Sequence, residues 1–256
     1  MNLVIDAGNS QIYCGVFSQG EIKLRFRKAQ SKSASSDELG VFFLSALREN
    51  GIDPKSITAV GCCSVVPEIN HSLNNSIQKY FHVRPFFLEA GVKTGLQIQC
   101  KNPLEVGADR VADSIAACSR YPGKNIIVVD FGTATTIDAV KDGKKYCGGA
   151  ILPGLNIAMR ALEERTSMLP TVQIVNEVEV CGKTTTTSIQ SGLYYGNLGA
   201  IREIVSRLHQ KVFSNQDVTV IGTGGLARVF EDSGLFDALH PELVLEGVDI
   251  AMEMNK

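Results

Sequence analysis

The chain has 256 residues, 44% hydrophobic and 20% charged, so it can bury a core as one large domain or two of about 125 residues and is not a disordered segment. Its 25 basic and 27 acidic side chains form no long single-sign block, which excludes a nucleic-acid footprint and a polybasic membrane patch and points to a small-molecule partner. Apolar runs such as Ile126 to Val129 are too short to cross a bilayer and Asp6 interrupts the N-terminal run, so a cytoplasmic protein is expected.

In chain order, Leu3-Val4-Ile5 is an apolar strand that ends in Asp6-Ala7-Gly8-Asn9-Ser10. It continues through Tyr13-Cys14-Gly15-Val16-Phe17 and turns at Gln19-Gly20 into a second strand from Glu21, a hairpin pattern. Asp37 to Asn50 is amphipathic, a strand lies near Ile57 to Val65, and a further segment near Phe81 to Glu89. From about Leu104 to Arg120, Val106, Val111, Ala112, Ile115 and Ala116 recur near helical spacing until Tyr121-Pro122-Gly123 stops the run,. This is the expected bridge between two halves.

The second half opens as the first did. Ile127-Val128-Val129 ends in Asp130-Phe131-Gly132-Thr133-Ala134, continues through Thr136-Ile137-Asp138-Ala139-Val140, and turns at Asp142-Gly143 toward Cys147. Gly154 to Arg165 reads as a helix, Thr166 to Asn176 as a polar loop and Thr186 to Gln210 as a long helix. Asp217 to Ile221 is a strand that runs into Gly222-Thr223-Gly224-Gly225 and another helix. The repetition predicts two related α/β domains, 1–122 and 123–256, facing each other across a ligand cleft.

A strand ending in Asp-x-Gly suits a metal-bound polyphosphate. Glycine lets the backbone approach, N–H groups face the oxygens, and the acid holds the metal through water. One such loop is an ordinary turn; two in register are harder to explain so. Gly222 to Gly225, between strand and helix, also opens a dinucleotide fingerprint, but about 30 residues cannot supply the strand-helix units that must follow it, so an adenosine-side contact fits better. Gly182-Lys183-Thr184 lacks the glycine of a P-loop, having Glu177 there,. Asp109-Arg110 could accept a hydroxyl proton and fix an anion, or be a solvated surface pair. Seven cysteines without CxxC spacing read as reduced, mostly small core residues. The four histidines lack metal spacing, and no serine sits in a nucleophile elbow.

Taken together, DAGNS at 6–10, NPLEVGADR at 102–110, DFGTATT at 130–136, GGAILPG at 148–154 and GTGG at 222–225 resemble the type III pantothenate kinases. The match runs in order over nearly the whole chain. The resemblance implies duplicated ribonuclease-H-like domains of the actin-like superfamily, an ATP-dependent phosphorylation of pantothenate that opens coenzyme A synthesis, and a homodimer. It implies a nucleotide loop of Asp6, Ala7, Gly8, Asn9, Ser10, Gln11, Ile12 and Tyr13, with Asp6 near Mg²⁺ or another divalent ion. Gly107, Ala108, Asp109 and Arg110 match the pantothenate-binding element, with Asp109 as general base. Asp130 matches a ligand of a monovalent cation, potassium or ammonium, Thr133 an ATP contact, and Thr185 a substrate contact. Gly222, Gly224 and Gly225 complete the nucleotide side. Where many members carry tyrosine two residues before the asparagine of Asn102-Pro103, this chain has Cys100. Two alternatives stand beside this reading: a kinase of another small hydroxy acid or polyol, and a non-catalytic regulatory protein of the same fold.

Overall fold

A computed structural model describes residues 1–176 and 178–256; Glu177, on which the P-loop comparison turns, lies outside them. The strands β1 (Asn2–Ala7), β2 (Gln11–Ser18) and β3 (Glu21–Ala29) form an antiparallel meander. Beyond β1, β4 (Ala59–Ser64) and β5 (Phe86–Phe87) pair in parallel, giving the order β3-β2-β1-β4-β5. Helices α1 (Ser36–Glu49) and α2 (Pro67–Phe81) belong to the same half. The first begins at a capping box between Ser35 and Glu38, a device whose loss typically costs about 0.5–2 kcal/mol. α1 and α2 approach closely because position 40 is glycine: a Cβ there would lie 2.0 Å from the Tyr80 ring.

β6 (Gln97–Ile98) and α3 (Ala108–Arg120) follow. The second half repeats the meander in β7 (Asn125–Phe131), β8 (Ala134–Lys141) and β9 (Lys145–Pro153). After α4 (Leu155–Arg165) and α5 (Thr185–Lys211), β10 (Val218–Thr223) and β11 (Ala238–Leu239) pair in parallel beyond β7. The chain ends in α6 (Leu243–Met254). The second sheet has the order β11-β10-β7-β8-β9-β6, so β9-β8-β7-β10-β11 repeats the first topology and β6 is an addition to it. The first hairpin has both residues of its two-residue turn, Gln19-Gly20, in the left-handed region, as a turn of this twist requires, and the three-residue turn of the second has Asp142 and Gly143 there,.

The chain divides into two compact units: 1–95, 104–116 and 244–256 in one, 96–103 and 117–243 in the other. The break after residue 116 falls inside α3, and 244–256 group with the first unit, which differs from the expected division into 1–122 and 123–256. The local reason is α6. A Cβ at Gly15 would meet Leu245 at 2.9 Å, one at Gly61 would meet Val248 at 3.0 Å, and Asn2 donates to Asp249 at 2.8 Å.

In the first unit Leu3, Ile5 and Ala7 of β1 face a core with Leu39, Phe43, Ile69 and Leu73 of α1 and α2, while Val4, also wholly buried, points to the opposite face. Burial on both faces is why β1 reads as a continuous apolar run. The second unit's core joins Ile127, Val129 and Phe131 to Leu155, Ile189, Ile201 and Phe230. Two helices escaped the sequence reading: α2, rich in Asn and Gln, and α6. The helix expected after Gly225 is a 3₁₀ stretch, Ala227–Ser233, stopped by Gly234 in the left-handed region.

Candidate active site

The first loop is built by β1 and β2 running out of pairing. Gly8 N–H donates to the Gln11 carbonyl at 3.0 Å, and Gln30 N–H to the Ser10 carbonyl at 3.0 Å, tying the loop to the end of β3. Asn9, Ser10 and Gln11 are exposed, whereas Ala7 and Ile12 are wholly buried in the core. Ala7 and Ile12 therefore have only backbone groups to offer a ligand. Tyr13 is covered by the Arg27 guanidinium, 3.8 Å from its ring centre. Burial raises its phenol, against the lowering influence of Arg27 and Arg25.

Asp6 sits in register between Tyr13 of β2 and Cys63 of β4. The Cys63 thiol is wholly buried and its pKa lies well above the ordinary value, first through burial and then through Asp6, Asp109 and Asp113. A neutral thiol thus lies within electrostatic reach of three carboxylates, two of them expected site residues. Asp6 and Asp109 both lie in the first unit. Sequence reasoning missed Cys63 and the buried Asp113; the only signals were the strand register opposite Asp6 and a second acid one helical turn after Asp109.

Asp109 stands in the first turn of α3, where its Oδ1 accepts the Arg110 N–H at 2.8 Å. Glycine before Ala108 leaves the carboxylate where it is: a Cβ at Gly107 would lie 2.5 Å from that Oδ1 and displace it. The Gly107 carbonyl accepts Val111 N–H at 3.1 Å, and the Arg110 carbonyl accepts Ser114 Oγ at 2.8 Å. Asp109 and Arg110 are both half-buried. An anchored carboxylate at a helix start can receive a proton from a hydroxyl beside it. No three His, Cys, Asp or Glu side chains among the described residues form a metal cluster. One carboxylate such as Asp6, with substrate phosphates, is the donor set that Mg²⁺ ordinarily takes.

In the second unit Asp130 takes the place that Asp6 has in the first, in register between Thr136 of β8 and Thr223 of β10. Glycines crowd its carboxylate. A Cβ at Gly224, whose φ is +89°, would lie 2.2 Å from Asp130 Oδ1, and one at Gly132 3.4 Å from Oδ2. The close approach of bare backbone makes a cradle that fits a small cation beside the carboxylate. Thr133 lies in the same loop, with its carbonyl against Gly154, where a Cβ would come within 2.2 Å. Gly225 has open space where a Cβ would stand. Gly222 instead packs on Leu239 and Phe236, which gives it a structural reason to be glycine.

Thr185 is the first residue of α5, after a cap in which Thr184 Oγ1 accepts Thr187 N–H at 3.1 Å. It edges a hollow of about 490 Å³ between α4 and α5, lined by Ala158, Leu162, Ile189 and Leu193. Cys100 is half-buried, its Sγ 3.5 Å from where a Gly148 Cβ would stand. No helix among the described residues is long and apolar enough to cross a membrane.

Solved structures share this duplicated topology. A Campylobacter jejuni protein described as a Baf family transcriptional activator superposes with a TM-score of 0.61 at 18% identity, covering 99% of this chain and 98% of that one. Component A of (R)-2-hydroxyglutaryl-CoA dehydratase from Acidaminococcus fermentans gives 0.52 at 14%, covering 100% and 99%. At such identities they speak to the fold alone, which is the α/β, actin-like, sugar-kinase fold. Sequence similarity is far closer elsewhere. A type III pantothenate kinase of Legionella pneumophila (strain Paris) is 52% identical over 255 residues, covering 100% of this chain and 99% of its own length. That of Elusimicrobium minutum (strain Pei191) is 46% identical over 256 residues, covering 100% and 99%. The profile of the family matches residues 2–207, a span that holds the Asp6 loop, the Asp109 helix start and the Asp130 loop, and on these grounds the chain belongs to the type III pantothenate kinase family.

Proposed function

We propose that the chain phosphorylates pantothenate on its primary hydroxyl with ATP, giving 4'-phosphopantothenate, the first step of coenzyme A synthesis, in the cytoplasm. The observation that carries this reading is the Asp109 carboxylate, pinned by the Arg110 N–H at the start of α3 and given room by Gly107. Asp109 accepts the hydroxyl proton, Arg110 fixes the pantothenate carboxylate, and Gly107 and Ala108 shape the turn that presents them. Asp6 and the backbone of residues 7–13, with Thr133, Gly224 and Gly225, serve the nucleotide. Mg²⁺ supplies neutralisation of the phosphate charge, held from Asp6. Asp130 serves potassium or ammonium, and Thr185 a substrate contact. Positioning and electrostatics do most of the work in such a transfer.

The working unit is proposed to be a homodimer. Gly192, Gly196 and Gly199, on one side of α5, leave open space where side chains would stand, which a second copy can approach; light scattering on the purified chain should give twice the chain mass. The activity test is coupled ADP release with Mg²⁺, potassium and a panel of hydroxyl acceptors. Release should require pantothenate. Equal turnover with unrelated polyols would replace pantothenate as the acceptor, and no release with any acceptor would favour a regulatory protein.

A further inference from the structure

A buried polar chain lies behind Asp130 and has no part in the reading so far. Asp138 of β8 is 1% exposed, and both of its oxygens are engaged: Oδ1 accepts the Tyr146 hydroxyl at 2.5 Å and Oδ2 accepts the Thr136 hydroxyl at 3.2 Å. Tyr146 is wholly buried. A polar group this deep is ordinarily hydrogen-bonded, and the two bonds hold the Asp138 carboxyl in one orientation.

The consequence falls on Thr136. A threonine hydroxyl has one proton and two lone pairs, and this proton goes to Asp138, so Thr136 offers its other neighbours lone pairs. Its register partner across β7 is Asp130, and directly paired residues point to the same face with Cβ atoms about 4.5–5.5 Å apart. The other neighbour of Asp130 repeats the arrangement. Thr223, 2% exposed and in register with Asp130, donates its hydroxyl to the His240 carbonyl at 2.8 Å. Asp130 is therefore flanked by two threonine oxygens whose protons are both committed elsewhere.

We infer that Thr136 and Thr223 join Asp130 as oxygen ligands of a monovalent cation, and that Asp138 is the positioning residue that keeps Thr136 turned lone-pair outward. One carboxylate with two neutral hydroxyls is a low-charge oxygen set, suited to potassium or ammonium, whereas divalent sites gather more carboxylates or phosphates. The inference rests on the reading of Asp130 as the cation residue.

Asp138→Asn tests it. The amide oxygen can still accept from Tyr146, but the amide nitrogen donates to Thr136, whose proton must then turn toward Asp130. The half-saturating potassium concentration for turnover should rise about 10- to 100-fold, the usual effect of losing a partner that orients a ligand. The same loss should appear without substrates: potassium should raise the melting temperature of the free wild-type protein relative to tetramethylammonium at equal ionic strength, and no longer do so in the variant. Thr136→Val should lose both responses, and Thr136→Ser should restore them. If Asp138→Asn does not fold, the Val and Ser pair decides. The inference is overturned if Asp138→Asn and Thr136→Val keep both potassium responses while Asp130→Ala loses them. If Asp130→Ala also keeps them, or the wild type shows none, the reading of Asp130 itself falls.

Discussion

At the residue scale the proposed chemistry rests on the Asp109 carboxylate, and two substitutions test it, one by removing the proton acceptor and one by displacing it. Asp109→Asn keeps an oxygen for the Arg110 N–H, so the turn should survive and the melting temperature should stay close to wild type. What it loses is a proton acceptor, which costs about 10²- to 10⁴-fold in kcat, with little change in KM for ATP. A stability loss with kcat intact would make Asp109 a structural residue. Gly107→Ala keeps the base and moves it: the added Cβ would stand 2.5 Å from Oδ1, and displacing a catalytic group by about 1 Å can cost on the order of 10²-fold. Normal turnover in steady-state assays of Gly107→Ala would mean that the carboxylate need not sit where it does. The sequence offers Asp109 as a candidate through its motif, but not the groups that surround it. Asp113 follows one helical turn after Asp109, but Cys63 comes within electrostatic reach of it only through the packing of β4, a long-range relation that no local pattern records.

Elements differ in how openly the sequence announces them. The two hairpins were legible because Gln19-Gly20 and Asp142-Gly143 are local turn chemistry between apolar runs. The helices α2 and α6 were not: α2 is largely polar, and α6 groups with the first unit although it is made last, which chain order conceals. The strand β4 carries a testable consequence. Cys62 and Cys63 on β4, and Cys14 on β2, are wholly buried, and burial raises all three thiols above the ordinary value of 9.0. With folded values above unfolded ones, the stability each contributes is intact below pH 9 and is lost as pH rises, because the unfolded chain sheds the proton first. The slope should be about 1.4 kcal/mol per pH unit per thiol. Cys62→Ala should therefore flatten the alkaline limb of urea-unfolding free energy by about that amount, and an unchanged slope would contradict the burial. The four remaining cysteines are half-buried or exposed, so the expectation of mostly core cysteines was too broad. In the loop after β10, Gly224→Ala would force a side chain into the left-handed region and against Asp130. It should cost about 1–3 kcal/mol from strain alone, seen as a lower melting temperature, where an unchanged one would deny the close approach.

At the scale of the whole molecule, duplication explains both what repeats and what has diverged. Asp6 and Asp130 close equivalent strands, but Asp6 is flanked by a phenol and a thiol and Asp130 by two threonine hydroxyls. One frame has thus been fitted with two different sets of neighbours, consistent with a divalent, phosphate-bound ion at one acid and a monovalent ion at the other. The repeat itself was visible in the sequence; the divergence becomes visible only once register shows which side chains stand beside each acid. The most direct measurement of the central claim is phosphorus NMR of a reaction holding ATP, Mg²⁺, potassium and pantothenate. The account predicts a new phosphomonoester on the primary hydroxyl, formed in equal amount to ADP. ADP accompanied by inorganic phosphate and no phosphomonoester, or no consumption of ATP at all, would contradict it.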